Sequence, residues 1–241
     1  MKYLLLTIFC MSMCSGYAQT TNSNISNDLK SIESLSDGNL NTGSSAKNFG
    51  NPNEGAIVKG SPYLFESWNN STSMYFIGNT TAYKMYGINY NIQAERFELQ
   101  QNSDSIFIVN PGNIERVVVN DLVFKRYLDP EYQRNSFFVE LYSANNTSLL
   151  KKYETSITVA QVNPMTGKKI GSDVYTKSEN YYILKDKSDG QLKEIKLNKN
   201  SLYSLVSKEN QSKLKEFIKE NKLSYRDESD LKVILNYAQS I

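Results

Sequence analysis

Few side chains in this chain are suited to catalytic chemistry. None of the 241 residues is histidine, and both cysteines, Cys10 and Cys14, lie near the amino terminus. Histidine is the one side chain whose ordinary pKa lies near neutrality, so Ser-His-Asp relays and histidine-ligated zinc or copper sites are excluded. The remaining options are paired carboxylates, a Ser-Lys dyad, an all-oxygen metal site and tyrosine chemistry.

Paired carboxylates could support a glycosidase-like hydrolase. The acidic residues that could form such a pair are Glu66, Glu95, Glu98, Asp121, Glu140 and Asp173. The reaction needs two carboxyl groups at a defined separation across a cleft, which sequence spacing does not establish. Acidic residues at alternating strand positions more often pair with lysine or arginine on a solvated sheet face.

The other catalytic patterns are weak or missing. The dyad spacing Ser-x-x-Lys begins at Ser44, Ser148, Ser212 and Ser229. Four scattered copies are what chance gives in a chain rich in serine and lysine. The sequence contains no Asp-x-Asp-x-Asp calcium loop and no Gly-rich phosphate loop. We therefore expect no catalytic residue, no metal ligands and no cofactor.

Aromatic side chains are the better candidates for binding. The four candidates for ligand contact are Tyr63, Trp68, Tyr75 and Tyr90. Aromatic rings on the surface of a β scaffold can stack on sugars, peptides or bases. Tyrosine is also a strand-favouring core residue whose hydroxyl reaches water or a backbone group. We favour the core interpretation for most of them.

The first 18 residues have the pattern of a secretory signal peptide. Lys2 precedes an apolar run from Leu4 to Met13, and small residues follow up to Ala18. Cleavage there would remove both cysteines, so an exported chain would be held by its core without disulfides. Bulky Met13 disfavours the alternative of a lipoprotein acylated at Cys14. We expect a periplasmic or extracellular protein. Association with the outer membrane is an alternative within this prediction.

Charge and hydropathy exclude two classes of partner. The 27 basic and 25 acidic residues give a net charge of +2 with no basic stripe, so we expect no nucleic-acid binding. No apolar run outside the signal approaches the roughly 20 residues of a membrane helix, so we expect no transmembrane segment after signal removal.

Composition divides the remaining chain into three parts. Residues 19–55 are rich in Ser, Asn and Thr and predict a flexible leader. Residues 56–198 carry short apolar runs between turn signals, which predict an antiparallel meander that forms a sandwich or a curved barrel-like sheet. Residues 199–241 change to helical periodicity and predict two or three helices packed on the sheet. The fold class is therefore mainly β with a helical tail.

Local patterns make this prediction specific. Strands are expected at Tyr63–Trp68 and Tyr83–Ile92, among others, and separate strands at Leu149–Glu154, Ile157–Val162, Val174–Lys177 and Tyr181–Lys185. Tight hairpins are expected at Asn120-Asp121 and Asp189-Gly190. Ser207 is expected to cap the second helix, and Ser224 with Asp227 resembles a capping box before a helix that buries Leu231, Ile234, Leu235 and Ala238.

Several short motifs resemble a family of uncharacterised exported proteins of Bacteroidota with no assigned activity. They are Lys59-Gly60-Ser61-Pro62-Tyr63-Leu64, Tyr90-Asn91 before Glu95-Arg96-Phe97-Glu98, and Leu214-Lys215-Glu216-Phe217-Ile218. The Tyr-Ala-Gln signal exit is also typical of that phylum. The resemblance covers about residues 56–238 and implies location and architecture, but no site residue. Asp104-Ser105-Ile106 likewise resembles a Bacteroidota O-glycan acceptor, which makes Ser105 a candidate O-glycosylation site.

Three functions are consistent with these features. The first is a non-catalytic envelope or secreted module that binds an envelope protein or a glycan through its sheet or its tyrosine-rich stretch. The second is a carrier for a lipid or another apolar ligand in a curved sheet under a helical lid. The third is a carboxylate-dependent hydrolase. The sequence favours the first, because a signal and a β-rich body are present and strong catalytic motifs are not.

Overall fold

The structure is a computed structural model and describes residues 40–41, 58–102, 105–144, 147–186 and 190–241. The signal peptide and nearly all of the leader lie outside the described residues, as do Asp104, Asn146 and Asp189.

Fourteen strands are found in the described part of the chain. They are β1 (Leu40–Asn41), β2 (Thr72–Phe76), β3 (Tyr83–Met85), β4 (Ile88–Asn91), β5 (Arg96–Asn102), β6 (Ser105–Val109), β7 (Ile114–Val119), β8 (Leu122–Leu128), β9 (Asn135–Ala144), β10 (Thr147–Thr158), β11 (Gln161–Val162), β12 (Lys169–Ile170), β13 (Val174–Leu184) and β14 (Leu192–Ile195).

These strands form one large and two small antiparallel sheets. The large sheet has eight strands in the order β14-β13-β10-β9-β8-β7-β2-β3. A four-stranded sheet has the order β1-β6-β5-β4, and β11 pairs with β12 alone. The predicted mainly β fold with an antiparallel meander is confirmed, and the large sheet stays open instead of closing into a barrel.

Three helices follow the strands, as predicted. They are α1 (Lys199–Tyr203), α2 (Gln211–Glu220) and α3 (Glu228–Ser240). The predicted caps are wrong in two places. Helix α2 begins after Asn210, three residues beyond the helix start that a Ser207 cap implies, and its amino terminus has no side-chain cap. Asp227, not Ser224, caps α3, because its carboxylate accepts hydrogen bonds from the amides of Ser229 and Asp230.

The core joins the two larger sheets through aromatic rings. Phe97 of the small sheet contacts Phe124 and Phe137 of the large sheet, with ring centroids 5.2 and 5.1 Å apart. Tyr90 packs against the same three phenylalanines. Helix α3 adds its apolar residues to this cluster, namely Leu231, Ile234 and Leu235. The small sheet and the helices therefore build one continuous core with the large sheet.

A smaller cluster lies on the other face of the large sheet. Its members are Phe138, Leu150, Tyr182, Leu184 and Leu192, with Tyr127 beside them. Phe137 and Phe138 are neighbours in β9, and successive strand residues point to opposite faces. The central strands are consequently apolar on both faces.

Gly87 divides a segment that the sequence predicts as one strand, Tyr83–Ile92. The backbone of Gly87 has φ +75°, and a Cβ there would lie 2.7 Å from the carbonyl oxygen of Gln100. The chain leaves the large sheet at Met85 and enters the small sheet at Ile88. A positive φ with such a close backbone approach is available to glycine alone without strain.

Three other strand predictions are corrected. Segment 63–68 is not a strand, although Tyr63 forms one antiparallel bridge to Asn91. The two strands predicted between 149 and 162 are mostly one strand, β10, and the two predicted between 174 and 185 are one strand, β13. In both cases the backbone ladder between β10 and β13 continues without interruption through the predicted break.

Candidate functional site

The structure separates the four aromatic candidates. Tyr63 and Trp68 meet edge to face at 4.7 Å between ring centroids, and both are partly exposed. Tyr75 lies on β2, where the guanidinium of Arg116 stacks over its ring at 4.0 Å. Tyr90 is only 1% exposed. The prediction that Tyr90 contacts a ligand is therefore corrected, because its ring fills the core.

The Tyr63–Trp68 pair is anchored by a buried carboxylate. The Tyr63 hydroxyl donates a hydrogen bond to Glu98 at 2.6 Å, and Arg96 pairs with the same carboxylate at 2.7 Å. Burial, and then the hydrogen bond to Glu98, raise the pKa of Tyr63. Glu98 has the basic partner expected of an acidic strand residue, but it is buried and does not lie on a solvated sheet face. The arrangement fixes residues 63–68 onto the small sheet.

Most of the candidate carboxylates have basic partners. Glu140 pairs with Lys125 at 2.8 Å, and Asp173 pairs with Lys169 at 2.8 Å. Asp121 occupies the turn between β7 and β8 with φ +69°, and Glu66 is exposed. Within the described residues, no group of three or more acidic side chains is arranged to hold a metal ion.

Lys152 is the centre of an ion network that the sequence analysis missed. Its ammonium lies 2.6 Å from Asp129, 3.2 Å from Glu154 and 3.5 Å from Glu95. Burial alone would lower the pKa of Lys152, but the hydrogen bond to Asp129 and the charge of Glu95 outweigh burial and raise it. Lys151, the preceding residue, bonds Glu228 of α3 at 2.7 Å instead. The adjacent lysines thus tie β10 to different parts of the fold.

The outer half of the β10–β13 pair forms an arm, defined here as residues 155–177. Strand β9 pairs with β10 only as far as Lys151, and β14 pairs with β13 only from Tyr181 onward. The two strands continue together to the pair Thr158↔Val174. The arm is therefore a two-stranded ribbon that extends past the ends of its neighbouring strands, and the β11–β12 hairpin forms its end.

The end of the arm is a closed turn over residues 163–168. The Asn163 amide donates to the Lys168 carbonyl, and the Gly167 amide donates to the Asn163 carbonyl, both at 2.8 Å. The side-chain oxygen of Asn163 accepts from the amides of Met165 and Thr166 at 2.8 and 3.3 Å. Such side-chain capping of a turn is typical of asparagine. The turn displays Met165, which is 93% exposed.

Asp173 fixes this hairpin to the ribbon. Its carboxylate accepts hydrogen bonds from the Lys169 ammonium and from the Ala160 amide at 2.9 Å. The hydrogen bond from Lys169, followed by that from Ala160, lowers the pKa of Asp173. Because the carboxylate form makes these bonds, they are present at neutral pH and weaken as the pH falls through that lowered pKa.

The arm is braced where it meets the smaller sheet. Lys59 adds to the outer edge of β13 in a parallel bridge, with its amide 2.8 Å from the Asp173 carbonyl oxygen. The Tyr175 hydroxyl contacts Gln93 at 3.3 Å, and the Lys177 ammonium donates to the backbone carbonyl of Tyr63. These contacts hold the arm in a defined direction.

Exposed apolar side chains are concentrated on the arm. Ten large apolar side chains in the described residues are strongly exposed, and half of them belong to the arm: Val159, Val162, Met165, Ile170 and Val174. A concentration of exposed apolar side chains on one structural element commonly marks an interaction site. The turn sequence Asn163-Pro164-Met165-Thr166-Gly167, flanked by valine and isoleucine, was the signal that could have revealed it.

One other surface feature of the described residues is a weaker candidate for a binding site. A groove of about 420 Å³ at the end of β2 is lined by Phe76, Ile77, Gly78, Asn79, Tyr83 and Asn113. No helix in the described part of the chain has the length and apolar character needed to cross a membrane.

Comparison of the chain with known protein families, with curated proteins and with solved structures finds no match.

Proposed function

We propose that this protein is an exported, non-catalytic binding module of the bacterial envelope and that the arm is its contact surface. The exposed apolar side chains of the arm carry this proposal. Burying a valine, isoleucine or methionine side chain is worth about 1.5–3 kcal/mol, so even partial burial of several provides substantial binding free energy.

The construction of the arm supports the same function. Asn163 and Asp173 hold the turn and the hairpin in place before any partner arrives. A preorganised surface loses less conformational entropy on binding than a flexible loop does. The bracing contacts from Lys59 and Tyr175 extend this order to the base of the arm.

The packing of the helices favours a binding module over a carrier. Leu231, Ile234 and Leu235 of α3 are buried in the same cluster as Leu149 and Ile183 of the large sheet. A carrier needs an apolar cavity large enough to enclose its ligand. Side chains fill the space in which the helices would act as a lid.

Cysteine labelling tests this proposal in the full chain, with Cys10 and Cys14 replaced by serine. Met165→Cys places one thiol on the arm, and Val233→Cys places a matched thiol on the outer side of α3, where Val233 is 44% exposed. We expect an envelope fraction to slow maleimide labelling at position 165 and to leave position 233 unchanged. Equal labelling rates at both positions, with and without the fraction, would contradict the proposal.

A further inference from the structure

We infer that the surface bound by the arm is an anionic lipid bilayer, which the tip of the arm enters as far as the boundary between headgroups and acyl chains. This inference rests on the proposed function, because it identifies what the arm contacts. The tip is defined as residues 161–170. Three independent features of the tip carry the inference: the distribution of its apolar side chains, its backbone hydrogen bonds and its charge.

The apolar side chains of the tip lie on both faces of the ribbon. Val162 pairs across the hairpin with Lys169, and Gln161 pairs with Ile170. Paired residues in an antiparallel ladder share a face, so Val162 and Ile170 point in opposite directions. Met165 projects at the end of the turn. A protein groove contacts mainly one face of a ribbon, whereas a bilayer surrounds an inserted tip on all sides.

The backbone amides of the turn need little hydration. The amides of Asn163 and Gly167 are paired within the turn, and those of Met165 and Thr166 donate to the Asn163 side chain. The Lys168 amide lies 3.4 Å from the Thr166 hydroxyl, and residue 164 is a proline, which has no amide hydrogen. A segment that enters an apolar medium must satisfy its backbone donors internally. This turn already does so.

The charged side chains of the arm also favour contact with anionic headgroups. Lys168 lies directly behind the turn, whereas the neighbouring Lys169 is paired with Asp173 and Lys177, nearer the base, is bonded to the Tyr63 carbonyl. The segment from 155 to 172 contains no acidic residue, and Asp173 is the one acidic residue of the arm. Lysine side chains beside an apolar segment can extend their ammonium groups to anionic headgroups.

The dimensions agree with this arrangement. Residues 163–165 extend at most about 10 Å beyond the Val162–Lys169 pair. Interfacial segments bury their apolar side chains about 5–10 Å into the boundary between headgroups and acyl chains. At that depth Met165 reaches the acyl region while Lys168 remains level with the headgroup phosphates. The arm would bind the bilayer surface without spanning it.

Vesicle co-sedimentation of the full chain tests this inference. We expect binding to vesicles in which about a third of the lipid is phosphatidylglycerol, and weak binding to vesicles of phosphatidylcholine alone. Met165→Ser should weaken binding about tenfold, because it removes most of the apolar area of that side chain. Lys168→Gln should weaken binding about fivefold and reduce its dependence on salt. Val233→Ser is the matched control and should bind as the unaltered chain does.

Two outcomes would overturn the inference. One is an absence of binding to anionic vesicles, and the other is binding that Met165→Ser leaves unchanged. A fluorescent dye on Met165→Cys should also shift to the blue with anionic vesicles, which reports entry of the tip itself. If an envelope fraction protects position 165 while vesicles do not bind, the proposed function stands and the partner is a protein or a second copy of this chain.

Discussion

Replacement of Lys152 by methionine should strongly destabilise the fold. The Lys152 side chain is 1% exposed, and its ammonium lies 2.6 Å from the fully buried carboxylate of Asp129. Methionine keeps much of the apolar volume of the lysine side chain and removes the ammonium, with its charge and its hydrogen bond to Asp129. Asp129 would retain hydrogen bonds from the amides of Glu131 and Tyr132, at 2.8 and 3.2 Å, but would lose its cation.

The expected loss is about 3 kcal/mol in the free energy of unfolding at neutral pH. Breaking a buried ion pair by removing one partner costs about 3–5 kcal/mol. The two amide bonds to Asp129 place the value at the lower end of that range. Glu95 and Glu154, at 3.5 and 3.2 Å from the ammonium, would add repulsion once the cation is gone. Arg134, 3.0 Å from Glu95, offsets part of that repulsion.

The loss should depend on pH with a defined sign. Burial alone would raise the pKa of Asp129, but hydrogen bonds from Lys152 and from two backbone amides outweigh burial and lower it from 3.8. A lowered carboxyl pKa stabilises the folded state above pH 3.8, and this contribution disappears as the pH falls through the lowered value. The difference between the unaltered chain and the variant should therefore be full at neutral pH and shrink below about pH 4.

Urea unfolding of both chains at several pH values measures this difference. Lys125→Met is the matched control, because its ion pair with Glu140 spans a similar 2.8 Å but Lys125 is one-third exposed. Such a partly exposed pair should contribute about 1 kcal/mol or less. The argument fails if Lys152→Met loses less than about 1 kcal/mol at neutral pH, or if both variants lose the same amount.

Backbone conformation supports two further predictions, each measured by urea unfolding. Gly87→Ala should lower the free energy of unfolding by about 2 kcal/mol or more, because its Cβ would meet the Gln100 carbonyl oxygen. Gly78→Ala has a similar φ of +77° but open space around it, so it should lower the free energy of unfolding by only about 1 kcal/mol. Equal losses would show that the close approach at Gly87 does not matter. Asp121→Gly should raise stability by about 0.5–1 kcal/mol, because Asn120 and Asp121 occupy a tight hairpin turn with positive φ at both positions. A loss of stability there would refute the turn assignment.

The sequence predicted the strands best where apolar periodicity and turn chemistry agree. The Asn120-Asp121 hairpin and the helix that buries Leu231, Ile234 and Leu235 lie where they were expected, but Ala238, which was expected to be buried with them, is only partly buried. At Asp189-Gly190 the outcome is different, because β13 ends at Leu184 and β14 begins at Leu192, so the connection is longer than a two-residue turn. Local turn signals indicate that the chain reverses direction, but they do not determine how many residues the connection contains.

Tertiary contacts explain the larger misses. Tyr90 has the same local pattern as an exposed strand tyrosine, and its burial depends on Phe124 and Phe137, which are distant in sequence, as well as on its strand partner Phe97. Lys151 and Lys152 follow Leu149 and Leu150 in the same strand, and lysines beside buried leucines were a usable signal of buried ion pairs. The partner of Lys152, Asp129, however, is 23 residues away and belongs to a turn. Pairings of this kind are not visible in the spacing of residues along one strand.

The position of α3 in the chain has a consequence for biosynthesis. Its residues Leu231, Ile234 and Leu235 complete the cluster on the large sheet, yet every strand of that sheet precedes them in the order of synthesis. A nascent chain can form the sheet while one apolar face is still uncovered. Such partly covered sheets are prone to aggregate. That face is therefore protected from contact with other chains only once Leu231, Ile234 and Leu235 have packed onto the sheet.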